Sequence, residues 1–356
     1  MRVFIDIGHP AHVHYFRNFI KIMQKKGHDF FISCRNKEVA QLLLGKYDIP
    51  FFDRGRGSNT LIGKIPYMIK ADRLILKKAK DFKPDLFLSF ASPYAAHVSK
   101  IIHKPHISFT DTENAKLGIL SFAPFTECII TPNAFMGDFG LKHVRFNGFM
   151  ELCYLHPDYF KPDPDVLSEL DITENEPYAF LRFVSWGASH DVGQTGILNE
   201  SKIKLVNELL KNMRVFISSE GEVSEELAKY KIKISPDKIH SVLANAIIYI
   251  GEGATMASES AMLGTPAIYV NSLTAGTIDE QERYGLLFSH RDYNGVLKRT
   301  EELLGNPNLK QEFAERRDKM IKEKIDVTAF MVWFVENYPE SFRIMRENPE
   351  YQTRFK

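Results

Sequence analysis

The chain is expected to fold as an α/β protein of two doubly wound, Rossmann-like parallel-sheet domains facing each other across a cleft. Three observations predict this. Apolar runs of strand length alternate with helical segments through the first half of the 356 residues, a proline-rich break interrupts them, and a second alternating series follows. Within that second series, residues 247–270 (IIYIGEGATMASESAMLGTPAIYV) compress strand, glycine turn, helix start and strand into one βαβ unit.

The elements follow in order. Strands are expected at residues 2–7, 29–33, 86–90, 106–109 and 128–131, with a helix from about His14 after the first. From Gly148 to Pro177 the punctuation His156, Pro157, Pro162, Asp163 and Pro164 reads as a linker. Strands return at 178–184, 215–218, 232–234, 246–250 and 267–270, and charged helical segments close the chain from Tyr293. The boundaries predicted are a first Rossmann-like domain at 1–150, a linker at 151–177 and a second at 178–325. Helices at 326–356 are expected to pack back on the first domain. In the βαβ unit, Gly251 and Gly253 permit a sharp turn and close approach of a ligand, and Thr255 is placed to cap the helix. Gly264 then suits a left-handed C-terminal residue, and Pro266 stops continuation.

Bulk properties narrow the function. Lysine and arginine total 46 against 45 acidic residues, a net charge of +1, which lacks the basic excess of a general nucleic-acid binder. Partners are expected to be small molecules. Cys34, Cys128 and Cys153 are odd in number and widely spaced, indicating neither a disulfide framework nor a zinc site. The sequence has no signal-peptide pattern and no apolar stretch near the ~20 residues of a membrane span, so a cytoplasmic protein is expected. Residues 54–83 carry nine Lys or Arg against two Asp among apolar residues. Such a segment can lie on the anionic inner face of a membrane, or form a solvated helix packed on the sheet.

Ligands of doubly wound sheets bind at the carboxyl ends of strands, so residues there are the candidates. After the first strand come Gly8, His9, Pro10, Ala11, His12, Val13 and His14; an imidazole at that place can remove a proton from a hydroxyl nucleophile. A metal reading of the His12-Val13-His14 pair is weighed and set aside, because Gly8 and Pro10 end the strand before it. Asp111, Thr112, Glu113 and Asn114 follow another strand, and can bind acceptor hydroxyls, perform acid-base work or form a hydrated turn. Ser89, Ala91, Ser92, Pro93 and Tyr94 suit a small polar loop. In the second half, Arg182, the 186–191 loop with His190, and Ser219 suit the far side of a diphosphate. The helix opening at Gly253, Ala254 and Thr255 directs N–H groups at an anion, with Glu259 one turn further in. Asp279, Glu280, Gln281 and Glu282 are expected to begin a helix, where they either read sugar hydroxyls or form a solvated acidic terminus.

The stretches DIGHPAHVHYFRN and YIGEGATMASESAMLGTPAIYV resemble the GT-B superfamily of nucleotide-sugar enzymes and, within it, domain of unknown function 354, over nearly the whole chain. That family is described as similar to the lipid II-forming N-acetylglucosaminyltransferase and to the non-hydrolysing UDP-N-acetylglucosamine 2-epimerase. The resemblance implies that Gly253 to Glu259 bind the UDP moiety, with Glu259 on the ribose hydroxyls. It implies His12 as general base, or His9 as second choice, although paired glycines of the transferase loop are missing here. Asp111 to Asn114 resemble an acceptor loop, and Asp279, Gln281 and Glu282 a donor-sugar motif. The expected reaction is transfer of a sugar from a UDP-sugar to a polysaccharide or glycolipid acceptor, without metal or other cofactor. A UDP-sugar 2-epimerase, using Asp111, Glu113, Arg182 and His190, and a non-catalytic nucleotide-sugar-binding protein are the alternatives.

Overall fold

The computed structural model describes residues 1–58, 61–173, 176–184 and 196–356. The chain divides into two units, Met1–Tyr154 with Lys324–Lys356, and Leu155–Glu323. The stretch read as a linker contributes helices Leu152–Leu155 and Asp165–Glu169.

Unit 1 holds a seven-stranded sheet of β1 (Arg2–Ile7), β2 (Asp29–Cys34), β3 (Phe52–Asp53), β4 (Leu86–Phe90), β5 (His106–Phe109), β6 (Cys128–Pro132) and β7 (His143–Phe146), in the order β3-β2-β1-β4-β5-β6-β7. Every pairing is parallel. The central strands are buried along their length, which explains their unbroken apolar runs. Phe4 packs between Phe31 and Phe87 at ring distances of 5.0 and 5.1 Å. Two strands absent from the sequence reading lie at the sheet edges. β3 has two residues, and β7 alternates half-buried with buried positions, so neither presents a continuous apolar signal.

The first helix runs Pro10–Lys25, starting four residues before the expected His14, because His9 caps it and Pro10 supplies a preset φ at its first turn. The C-terminal helix Val327–Glu336 packs on it. Asp326 caps that helix through Ala329 N–H at 2.9 Å, Thr328 Oγ1 donates to Cys153 O at 2.9 Å, and Glu336 meets Lys26 at 2.6 Å and His28 at 3.0 Å.

Unit 2 holds β8 (Tyr178–Phe183), β9 (Arg214–Ser219), β10 (Ile248–Gly251), β11 (Ala267–Val270) and β12 (Leu287–His290), ordered β12-β11-β10-β8-β9 and parallel throughout. β12 is another edge strand that sequence periodicity did not reveal. The strand expected at 232–234 is reduced to a bridge between Lys231 and Ile217. The βαβ helix is Ala254–Leu263, ended by Gly264 at φ 77°, and its N-cap is Gly253 rather than Thr255, which lies inside the first turn. Helix Gly276–Arg283 likewise begins before Asp279. The three cysteines are free and buried.

His106 in β5 is fully buried between two hydroxyls, Ser89 Oγ at its Nε2 and Thr126 Oγ1 at its Nδ1, both at 2.9 Å. Thr126 spends its own proton on Phe122 O, so Nδ1 donates to it. Burial pushes its pKa down from 6.5 to about 3. The unfolded chain binds a proton there below pH 6.5 and the native state does not, so stability falls as pH drops from 6.5 toward 3. The slope of unfolding free energy between pH 6 and 4, from urea titrations, should lessen by up to ~1.4 kcal/mol per pH unit in His106→Gln. An unaltered slope would refute this account.

Candidate functional site

The order of parallel strands reverses between β1 and β4 in unit 1 and between β8 and β10 in unit 2, and each reversal opens a crevice at the carboxyl strand ends. In unit 1 the crevice is organised by Asp6, fully buried in β1. Its Oδ1 accepts from Ser33 Oγ at 2.6 Å and Arg54 Nε at 2.8 Å, and its Oδ2 from Ser92 Oγ at 2.5 Å. Ser33 lies in β2, Arg54 follows β3, and Ser92 follows β4 and caps helix Pro93–Ile101. One carboxylate therefore ties four strand ends together. Ala91, beside it, holds φ 50°, a left-handed conformation costing a non-glycine residue ~1–2 kcal/mol. Its N–H donates to Phe109 O at 3.0 Å, which holds the turn in place.

In the loop after β1 two histidine side chains take backbone N–H groups. His9 Nδ1 accepts from Ala11 N–H at 3.2 Å, and His12 Nδ1 accepts from Gly8 N–H at 3.3 Å. A neutral imidazole whose Nδ1 accepts carries its proton on Nε2. Burial, then the charges of His9, Lys37 and Arg54, hold the His12 pKa well below the ordinary 6.5. His12 and His9, the residues expected as general base, each have Nδ1 engaged by a backbone N–H, and in that tautomer Nε2 of His12 is an N–H donor. His14 points elsewhere, since positions two apart on a helix lie on different faces; it is buried against Tyr154 at 5.1 Å.

Beyond β5, burial and then the neighbouring Glu113 push the Asp111 carboxyl up to about 6, against a hydrogen bond from Thr112 Oγ1 at 3.1 Å. Glu113 Oε1 accepts from Met136 N–H at 2.8 Å, and Asn114 is exposed. Asp111 and Glu113 thus form a carboxyl pair whose proton is exchangeable near neutrality.

In unit 2, Gly251 ends β10 where any side chain would collide. A Cβ there would stand 2.4 Å from Tyr249 Oη and 2.8 Å from Arg182 O. Gly253 opens helix Ala254–Leu263 without a side-chain cap, and no described group accepts from the N–H of Ala254, Thr255 or Met256. Arg182 Nη1 donates to Ser218 Oγ at 2.7 Å and Nη2 to Glu220 Oε1 at 2.6 Å, while Ser219 Oγ donates to Gly221 O at 3.0 Å. Glu259 is buried with Oε1 3.0 Å from His240 Nε2. His190 lies outside the described residues.

The segment expected to read the donor sugar is engaged within the unit. Asp279 accepts from Thr274 Oγ1 at 2.7 Å and Glu282 from Ser289 N–H at 2.9 Å. Gln281 is fully buried, with Nε2 on Ser258 Oγ and Oε1 without a partner among the described residues. Gln281 lies on the buried side of helix Gly276–Arg283 with Ile278.

Sequence reasoning missed Asp6, Arg54 and Glu252. Glu252 is 1 % exposed; it accepts from Val184 N–H at 3.0 Å and Ile197 N–H at 2.6 Å, with Lys202 Nζ at 3.4 Å. It fastens residues 184 and 197 to the end of β10. The signal for Asp6 and Glu252 was a lone carboxylate at or just past the end of an apolar run. Among the described residues, no three His, Cys, Asp or Glu side chains are grouped as metal ligands.

With this geometry in hand, the family described as "Protein of unknown function (DUF354)" matches residues 1–339. The chain belongs to the DUF354 family. An uncharacterized protein of Methanocaldococcus jannaschii is 27% identical over 276 residues, 75% of this chain and 80% of that protein. The UDP-GlcNAc 2-epimerase of Neisseria meningitidis, solved bound to UDP-GlcNAc, has a TM-score of 0.68 at 12% identity, over 88% of this chain and 94% of that one. SsfS6, a glycosyltransferase of Streptomyces sp. SF2575, has a TM-score of 0.60 at 14% identity, over 95% of this chain and 100% of that one. These likenesses establish the fold of this DUF354 member as GT-B, two Rossmann-like parallel-sheet domains.

Proposed function

We propose that this protein is a glycosyltransferase that moves a sugar from a UDP-sugar to a polysaccharide or glycolipid acceptor. The observation that carries the reading is the open N-terminus of helix Ala254–Leu263, standing at the strand-order reversal of unit 2 behind a glycine that admits no side chain. Free N–H groups and the positive end of a helix dipole favour a diphosphate. In this scheme Ala254 and Thr255 hold the diphosphate, Glu259 the ribose, and Arg182 exchanges Glu220 for a phosphate oxygen. Fixed donors aimed at the leaving diphosphate stabilise the charge that develops on it, so no divalent ion is required. On unit 1, Glu113 and Asn114 orient the acceptor, Asp111 takes the hydroxyl proton, and His12 donates a hydrogen bond through Nε2.

A UDP-sugar 2-epimerase is the second reading. The Asp111–Glu113 pair favours it, since elimination and re-addition of UDP require carboxyl groups that exchange protons near neutrality. Incubating a UDP-N-acetylhexosamine with the protein and no acceptor separates the two, because only an epimerase changes the sugar.

Peripheral attachment to the inner face of a membrane is part of the proposal. Among the described residues no helix is long and apolar enough to cross a membrane. Helix Leu61–Phe82 instead presents an open face with Pro66, Ile69, Lys70, Arg73, Leu74 and Lys77 lining it, and exposed Ile65 beside it. Apolar side chains among cations, without a carboxylate in the lining, complement an anionic lipid surface.

Three outcomes are expected. Calorimetric titration should give UDP binding that Ala254→Pro weakens about tenfold to a hundredfold, the ~1.5–3 kcal/mol of a hydrogen bond to a charged group. Gly253, at φ −95° and ψ 118°, already has the conformation a following proline demands, so the helix should persist. Equal UDP affinity in wild type and variant would remove the diphosphate assignment. Turnover should rise with pH through about 6 as Asp111 deprotonates, and Asp111→Asn should lower it by ~10²–10⁴ and abolish that rise; a variant that keeps the wild-type profile excludes Asp111 as base. Co-sedimentation with phosphatidylglycerol vesicles at low ionic strength should fall when Lys70 and Arg73 are both changed to Glu, and no binding by the wild type would end the membrane reading.

A further inference from the structure

We propose that Arg35 and Arg54, at the carboxyl ends of β2 and β3 in unit 1, form a binding site for a phosphate or diphosphate group carried by the acceptor. The inference rests on the transferase reading for the word acceptor, but the anion site itself stands on the charges of unit 1.

Arg54 is 2 % exposed, an unusual place for a guanidinium at a strand end. Two of its three corners are committed: Nε to Asp6 Oδ1 at 2.8 Å, and Nη1 to Tyr67 Oη at 2.6 Å. The ring of Tyr94 lies beneath it, 4.3 Å from centroid to Cζ. The third corner, Nη2, has no acceptor among the described residues, and it stands 3.9 Å from where a Cβ of Gly8 would be. It is thus directed at the loop that leaves β1. A glycine at position 8 leaves that approach open to a ligand.

Arg35 follows β2 directly and lies across the backbone of Gly57, where a Cβ would stand 2.5 Å from its guanidinium. Its Nε is buried without a partner, and no described carboxylate pairs with it. Both guanidinium charges act on the phenols of Tyr67 and Tyr94, and Arg54, Lys37 and His9 act together on His12. The carboxylates of this region are consumed: Asp6 by Arg54, Ser33 and Ser92, and Asp53 by Gly55 N–H at 2.7 Å and Asn36 Nδ2 at 2.7 Å. The crevice therefore holds more cationic than anionic charge, with two guanidinium edges lacking acceptors. Planar forked donors match a phosphate better than any neutral hydroxyl of a sugar.

The phosphate has two possible sources, the acceptor and the donor's own diphosphate, and the test separates them. Pyrophosphate and glucose 1-phosphate are titrated into the full chain by thermal shift, with and without saturating UDP. Pyrophosphate should raise the melting temperature further in the presence of UDP, and Arg35→Gln and Arg54→Lys should each weaken that effect at least tenfold in apparent affinity. Arg35 has no described pairing to lose, so Arg35→Gln keeps the fold, and its UDP affinity should stay within twofold of wild type. Abolition of the pyrophosphate effect by UDP would transfer these arginines to the donor and overturn the acceptor assignment. Wild-type protein insensitive to both probes, or an Arg35→Gln variant indistinguishable from it, would overturn the site itself. A wild type that binds pyrophosphate but not UDP would keep the anion site while defeating the transferase reading.

Discussion

The carboxylate of Asp6 is shut off from water, and removing an ion of that kind from solvent costs several kcal/mol unless its lone pairs are met by donors. Arg54 and the hydroxyls of Ser33 and Ser92 meet them, and those donors come from β2, from the end of β3 and from the turn after β4. The cost of leaving Asp6 unpaired thereby fixes where four strand ends stand. Glu252 performs the same task in unit 2 with different donors, two backbone N–H groups and Lys202. In each unit a single desolvated acid sits where the strand order reverses, which is where a parallel sheet exposes its loops to a ligand.

Similar topology leaves the two helix entrances chemically opposite. His9 closes the entrance after β1, because its imidazole takes the Ala11 N–H, its carbonyl takes the His12 N–H, and Pro10 has none to give. Gly253 leaves the entrance after β10 unfilled, having no side chain to cap with. The β10 entrance keeps its N–H groups free, with Arg182 beside Gly253, whereas the β1 entrance has its own N–H groups taken and Arg54 near Gly8. The difference in free N–H groups follows from one residue at each N-cap.

The fold was legible where burial on both faces imposes long apolar runs, and β1, β4, β5 and β11 stand where those runs predict them. It was illegible at three of the four edges, where β3, β7 and β12 are short or half-buried and carry no run to detect. For the candidate site, glycine spacing disclosed the Gly251 turn because a packed turn leaves a mark on sequence. Buried ionic partners leave none: Arg54 lies in a basic segment that reads as surface, and only its distance to Asp6 shows otherwise.

Proton chemistry in unit 1 follows from the same distribution of charge. Burial first, and then the cations near the β1 loop, penalise a positive charge on His12, so its imidazole stays neutral well below the pH at which free imidazole is half protonated. Its Nδ1 being held by Gly8, the ring is poised to donate and has no lone pair free to accept a proton. Asp111 experiences the reverse, since burial and the adjacent Glu113 both penalise its negative form and bring its titration to about 6. Their surroundings thus displace the two groups in opposite directions. The tautomer of His12 follows from which nitrogen the backbone occupies, and Asp111 is a carboxyl whose protonation changes near neutrality.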